Sequence, residues 1–256
     1  METLTAVDFW EQKWETLTIP QIILPRENSE FHQICKKYLP QNKSFIEIGC
    51  APGKYLVYFA REFGYRVSGL EYAPKAAQFT VKNLESLHIP ADIIVEDFFT
   101  HKPTTTYEVV FTRGFIEHFD ETENVVKKLV RLADPNQGII ITIVPCMGGL
   151  NRMIGNIFWP KLSKKHHMTC LNKIVEYHEK QNVETLYADY MGSFRIFEPV
   201  QAYQINKYNK VMADLTNLPV RVWNKLVVKT TQTLDWYPHD KFINSGIMYI
   251  GRRKGE

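Results

Sequence analysis

Cysteine is scarce in this chain of 256 residues, with four in all, at Cys35, Cys50, Cys146 and Cys170. None forms a CxxC pair, so zinc-ribbon and thioredoxin-type readings have no footing and no disulfide framework is implied. An excess of one charge is also lacking. Lys and Arg number 31 against 28 Asp and Glu, a net of +3, which does not announce a polyanion as partner. No apolar run approaches the ~20 residues that a membrane span needs. The opening METLTAVDFWEQKWE carries acids and no apolar core, so it does not read as a signal peptide. Repeats, low-complexity blocks and Pro/Ser-rich linkers are absent too. The remaining composition, 45% hydrophobic and 23% charged, is that of a globular chain able to bury a sizeable core. A soluble, cytoplasmic protein is expected.

In the first half, short apolar runs alternate with stretches of helical spacing. Ser44–Gly49, Tyr65–Glu71, Ala91–Glu96, Tyr107–Thr112 and Gly138–Val144 read as strands. Tyr55–Phe63, Lys75–Leu87 and Glu121–Ala133 read as helices, the last with Val125, Val126, Leu129, Val130 and Leu132 on one face. The fifth strand is nearly all apolar, as for a strand covered on both faces. Such alternation implies a parallel sheet with right-handed crossovers. The second half reads differently. Helical stretches at 147–182 and 199–240 flank strand-like segments at 183–198 and 242–250, so this half completes and covers the first.

The most informative stretch is Glu47-Ile-Gly49-Cys50-Ala51-Pro52-Gly53-Lys54, where a strand runs into a tight turn of small residues and then a helix. Small residues let a ligand approach the backbone, and free N–H groups at a helix start attract an anionic group. Pro52 suits the first helical turn, where its missing N–H is no loss. A Walker A loop would need Ser or Thr after Gly53-Lys54, but Tyr55 stands there. A dinucleotide fingerprint would need a third glycine where Lys54 stands. The acidic-x-Gly-x-Gly/Ala-x-Gly pattern is matched throughout. Glu71 ends the second strand, where a carboxylate can accept both hydroxyls of a ribose. Asp97 ends the third, beside Phe98 and Phe99, a pairing suited to the amino group and ring face of adenine.

Together with the Gly114-Phe-Ile-Glu-His-Phe119 stretch after the fourth strand, these residues resemble the class I S-adenosylmethionine (SAM)-dependent methyltransferases of the broad "methyltransferase domain" family. The resemblance covers about residues 44–146 and continues loosely through the closing strands. It implies a Rossmann-like α/β fold with a seven-stranded, mostly parallel sheet in the order 3-2-1-4-5-7-6. It also implies SAM as cofactor, becoming S-adenosylhomocysteine (SAH), and methylation of an O or N atom of a small organic acceptor. By the same resemblance Glu47, Gly49, Cys50, Ala51, Gly53, Glu71, Tyr72, Asp97, Phe98, Arg113 and Gly114 line the cofactor, Cys50 through its backbone. Residues 1–43 form a helical cap, 44–146 the SAM core, and the two helical insertions an acceptor lid.

Methyl transfer depends mainly on aligning nucleophile and methyl and excluding water, with a base where a proton must leave. His118 is the foremost base candidate, against the plainer reading that it shapes the pocket. His167, beside His166 in the first insertion, is a second candidate, and adjacent helical residues point about 100° apart, so the two cannot act as a pair. Neither histidine suggests a metal site. Trp10 and Trp14 share a helical face and read as a packed anchor or a lid. Tyr187, Asp189 and Tyr190 sit near the same rim without an assigned role. Trp159–Lys165 mixes apolar and basic residues and reads as a solvated face, with contact to an anionic membrane surface or a grip on an acidic substrate as alternatives, and Pro219–Val228 as a packed helix. Two other functions compete. The Gly-Cys-Ala-Pro-Gly turn also resembles that of RNA ribose methyltransferases, but the stretch Thr112–His118 after the fourth strand, where they carry an Asp, has none. A SAM-binding module without catalysis is the other.

Overall fold

A computed structural model describes residues 18–23, 29–146, 148–158, 160, 170–199 and 210–255. Trp10, Trp14, Trp159 and the pair His166-His167 lie outside the described residues. Seven strands form one sheet: β1 (Ser44–Ile48), β2 (Arg66–Leu70), β3 (Ala91–Ile94), β4 (Val109–Arg113), β5 (Ile139–Pro145), β6 (Val183–Ser193) and β7 (Asn244–Arg253). The helices are α1 (Glu30–Tyr38), α2 (Lys54–Phe63), α3 (Pro74–Ser86), α4 (Thr122–Leu132), α5 (Gly149–Phe158), α6 (Leu171–Glu179) and α7 (Lys210–Leu234). The sheet order is β3-β2-β1-β4-β5-β7-β6. All neighbours are parallel except β7, which runs antiparallel to both β5 and β6. That order puts the carboxyl ends of β1, β2, β4, β5 and β6 on one edge, where an open α/β sheet binds ligands.

Period-2 alternation on the central strands divides the core into two layers. Phe45, Phe111, Ile141, Ile143 and Met191 face α1 and α2. Ile46, Ile48, Val110, Ile140 and Val144 face α4 and α6. The first layer is unusually aromatic. Phe59 stacks on Tyr65 with centroids 5.6 Å apart and meets Phe45 at 4.7 Å, so its truncation to Ala is expected to cost about 3–5 kcal/mol, read by denaturant titration. On the other layer His178 is fully buried and stacks on Tyr249 at 4.0 Å, with its two ring nitrogens on Thr142 Oγ1 and the Ile174 carbonyl. Burial lowers its pKa to about 4.

Helix boundaries follow local chemistry. Ser29 caps α1, its Oγ accepting the His32 N–H. The helix after β1 starts at Lys54, and Gly53 is its N-cap at φ 85°. Pro52 therefore sits before the cap, in a cis peptide with Ala51, rather than in the first helical turn as the sequence suggested. On α3, the fully buried Asn83 joins three segments. Its Nδ2 donates to the carbonyls of Pro52 (2.9 Å) and Gln21 (3.0 Å), and its Oδ1 accepts the Gln21 N–H (2.7 Å).

The packing expected for Pro219–Val228 holds only in part. Val227 is buried, whereas Val222, Trp223 and Leu226 are about half exposed. The reason is that α7 meets the body by one edge, where Trp223 Nε1 donates to the Phe194 carbonyl and Asn224 brackets Ile196 through both its amide atoms.

Candidate functional site

The turn after β1 is built to expose backbone. Gly49 (φ 71°) and Gly53 (φ 85°) occupy the left-handed region, which penalises other residues. A Cβ on Gly53 would lie 3.0 Å from Thr80 Cγ2. The Cys50 side chain turns away from this surface, against β2, where a Cβ on Gly69 would collide with it. The Cys50 thiol is therefore packed against β2, and its backbone is the part of the residue in the turn.

Carboxylates ring the turn. Glu47 is buried on β1 and receives the Leu56 N–H, while its Oε2 has no hydrogen-bond partner among the described residues. Burial holds its pKa well above the usual range, and Lys54 and Arg113 pull it back down. Glu71, just past β2, takes the Ala73 N–H on Oε1 (3.1 Å) and the Ala51 N–H on Oε2 (3.4 Å). It thus fastens the glycine turn to the end of β2, and burial raises its pKa too. Tyr72 lies within the fields of both Glu71 and Asp97, and burial with those two acids pushes its hydroxyl up to about 12.

Asp97 closes a turn on itself, Oδ1 accepting the Phe99 N–H at 2.7 Å. The Phe98 ring is a departure from expectation. It is 5% exposed, packed edge-on against Phe99 and Phe115, with Lys128 Nζ 5.2 Å from its centroid. Its face is committed to the core, which favours backbone over ring as its contribution to a ligand. Phe115 stands closer to the turn, with Cδ2 3.4 Å from where a Gly49 Cβ would be.

After β4, Arg113 sits at the strand end with its guanidinium carbon 5.1 Å from the Tyr55 ring centroid. It is exposed to solvent, and desolvation by the protein around it lowers its pKa to about 10. Gly114 (φ 65°) then turns the chain, its N–H held by the Ile143 carbonyl. Glu117, in the short 3₁₀ turn Ile116–His118, is almost fully buried. Burial raises its pKa to about 8, and its Oε2 lacks a partner among the described residues. His118 is partly buried, with Nε2 3.9 Å from Glu117 Oε1.

The sequence-predicted residues from β1, β2, β3 and β4 thus gather at one edge of the sheet. Two members escaped sequence reasoning. Glu117 stood in plain view within Glu-His-Phe, but nothing in the sequence told that it would be buried. Arg195 follows β6, in a segment read only as a strand.

A doubly wound sheet with this order, this reversed strand and this glycine turn defines the Rossmann-like fold of class I methyltransferases. The chain belongs to the methyltransferase domain family, whose profile matches residues 21–188. Over 103 residues it is 28% identical to norajmaline N-methyltransferase of Rauvolfia serpentina, an alignment covering 39% of this chain and 35% of that enzyme. The chain therefore spans about a third of that relative's length. Among solved structures, a Galdieria sulphuraria protein provisionally named a sarcosine dimethylglycine methyltransferase superposes with a TM-score of 0.62 at 12% identity, covering 97% of this chain and 98% of that one. Coclaurine N-methyltransferase, solved with N-methylheliamine and SAH, gives 0.60 at 11% identity, covering 99% and 83%.

Proposed function

We propose that this protein transfers a methyl group from SAM to a nitrogen or oxygen of a small organic acceptor. The observation that carries the reading is the glycine turn between Glu47 and Glu71, with open backbone at two left-handed glycines and a buried Glu47 oxygen still wanting a donor. Those carboxylate acceptors, with the open backbone between them, fit a ligand with an ammonium at one end and a ribose further along. Similarity to norajmaline and coclaurine N-methyltransferases favours nitrogen as the acceptor atom. A cytoplasmic setting accords with four unpaired cysteines.

When bound, SAM supplies an electrophilic methyl on a cationic sulfonium. The chain does the rest. Glu47 orients the ammonium end, and Gly49 and Gly53 leave room for the ligand along the turn. Glu71 accepts ribose hydroxyls with the lone pairs left after its two backbone bonds. Asp97 has Oδ2 for the adenine amino group, and Phe115 flanks the turn. His118 receives the proton of an acceptor that must lose one. The segments 1–43, 147–182 and 199–240, parts of which lie outside the described residues, are assigned to covering the acceptor and excluding water around the core 44–146.

Calorimetry tests the base of this reading. SAM and SAH should both bind, and no heat at millimolar ligand would end it. Glu71→Ala should weaken SAM by about 10–100-fold, since hydrogen bonds to a charged group contribute roughly 1.5–3 kcal/mol. Unchanged affinity would remove Glu71 from the site. With an acceptor found by screening labelled SAM over metabolite pools, His118→Ala should slow single-turnover methylation by about 10²–10⁴-fold. An unaltered chemical step would leave His118 a shaping residue only.

A further inference from the structure

The acceptor side of the cleft carries two guanidinium groups that the reaction, as derived above, does not use. Arg113 ends β4, two residues beyond Phe111, on the sheet face covered by α1 and α2. Arg195 follows β6, four residues beyond Met191, which lines that same layer. Arg195 rides on a firmly held turn. Its N–H bonds to the Gly192 carbonyl, and its own carbonyl accepts Asn151 Nδ2 at 3.0 Å. The neighbouring Phe194 N–H is fixed by the Ile243 carbonyl, and the Phe194 carbonyl by Trp223. The guanidinium lies across Gly192, so close that a Cβ there would come within 2.9 Å of Nη2. The two arginines are near enough for the charge of one to depress the pKa of the other.

Acids surround them without pairing them. Among the described residues, no carboxylate oxygen lies within 4 Å of either guanidinium. Glu30 spends Oε2 on the Gly192 N–H at 2.8 Å, and its buried Oε1 has no hydrogen bond. Burial raises the pKa of Glu30, Glu47 and Glu117, while the charges of Arg195 and Glu30 pull each other back toward the ionised forms. Among the described residues neither guanidinium makes a hydrogen bond or an ion pair, and each is a planar fork that matches a two-oxygen anion.

We infer that Arg195, with Arg113 beside it, forms an anion subsite for an acidic group on the methyl acceptor, a carboxylate or a phosphate. The inference rests on the methyltransferase reading, because that reading makes this edge the acceptor side. A substrate acid held here balances the unpaired arginines and points the rest of the acceptor toward the end of β4.

The test uses the full chain and two simple probes, malonate for the carboxylate class and inorganic phosphate for the other. Each is titrated into SAH-loaded protein and followed calorimetrically. At least one probe is expected to bind at millimolar concentration. Arg195→Gln should weaken it at least tenfold while SAH affinity stays within twofold, and Arg195→Lys should recover part of the loss. Arg113→Gln should weaken it comparably. Thermal melting of each variant identifies one that has failed to fold, and the lysine variant then decides. The inference is overturned if neither probe binds, if Arg195→Gln leaves binding unchanged, or if the probe displaces SAH, which would place the anion in the cofactor's position. Should SAH itself fail to bind, the methyltransferase reading falls, while titration of the unloaded protein still reads the arginine pair by itself.

Discussion

Raising the pH from about 5 to about 8 is expected to cost this protein up to roughly 4 kcal/mol of folding stability through Glu117 alone, and Glu117→Gln should abolish that share. The cause is burial, which lifts the Glu117 carboxyl to about 8 from an ordinary value of 4.5. The folded chain then keeps a proton that the unfolded chain releases above its own pKa. The unfolded state is favoured progressively as pH rises through that window, and the slope disappears once the folded carboxyl ionises as well. Glu30, Glu47 and Glu71 are raised in the same direction, so Glu117→Gln should reduce the slope without removing it. His178 acts oppositely. Its folded pKa is lowered to about 4 from 6.5, so its contribution is lost as pH falls from 6.5 to about 4. Urea unfolding at several pH values, wild type against Glu117→Gln, reads the difference. Parallel curves for the two proteins would show that Glu117 does not hold its proton.

The second large effect is expected at Gly53. Gly53→Val should reduce SAM affinity at least hundredfold, about 3 kcal/mol, with Gly53→Ala intermediate. Two costs combine. A φ of 85° strains any residue with a Cβ, by roughly 1–3 kcal/mol. A Cβ at 3.0 Å from Thr80 Cγ2, extended by the methyls of valine, also pushes the turn away from α3. Backbone amides aimed at a ligand lose their alignment when the turn shifts. Calorimetry of both variants, with circular dichroism to establish folding, measures this. A folded valine variant that binds SAM within threefold of wild type would show that the turn is not the cofactor platform.

Much of the sheet is legible in the sequence. Ser44–Gly49 and Gly138–Val144 are short apolar runs bounded by glycine, and they fall on β1 and β5 within a residue. The glycine turn was legible because left-handed backbone and close approach both demand glycine, so the geometry is written in residue type. Burial of single polar groups was not legible. Glu117 and His118 are adjacent and look equally available on paper, yet Glu117 is almost fully buried and His118 only partly so. Phe98 misled for the same reason, since a ring beside Asp97 suggests a stacking platform until Phe99, Phe115 and Lys128 are packed around it. Arg195 was silent because its turn is held by Asn151 on its own carbonyl and by Ile243 and Trp223 on the neighbouring Phe194, three remote segments. Pro219–Val228 reads as packed because periodicity records an apolar face without saying whether anything covers it.

The Asn83 junction gives this chain an internal reporter. The Gln21 amide hydrogen is held by Asn83 Oδ1, and the same side chain holds the carbonyl of Pro52. Hydrogen exchange at Gln21, some sixty positions away in sequence from Asn83, therefore monitors how firmly the glycine turn is seated. A ligand that orders the turn will slow that exchange without touching residue 21, so the occupancy of one edge of the sheet is written into the exchange rate of a single distant proton.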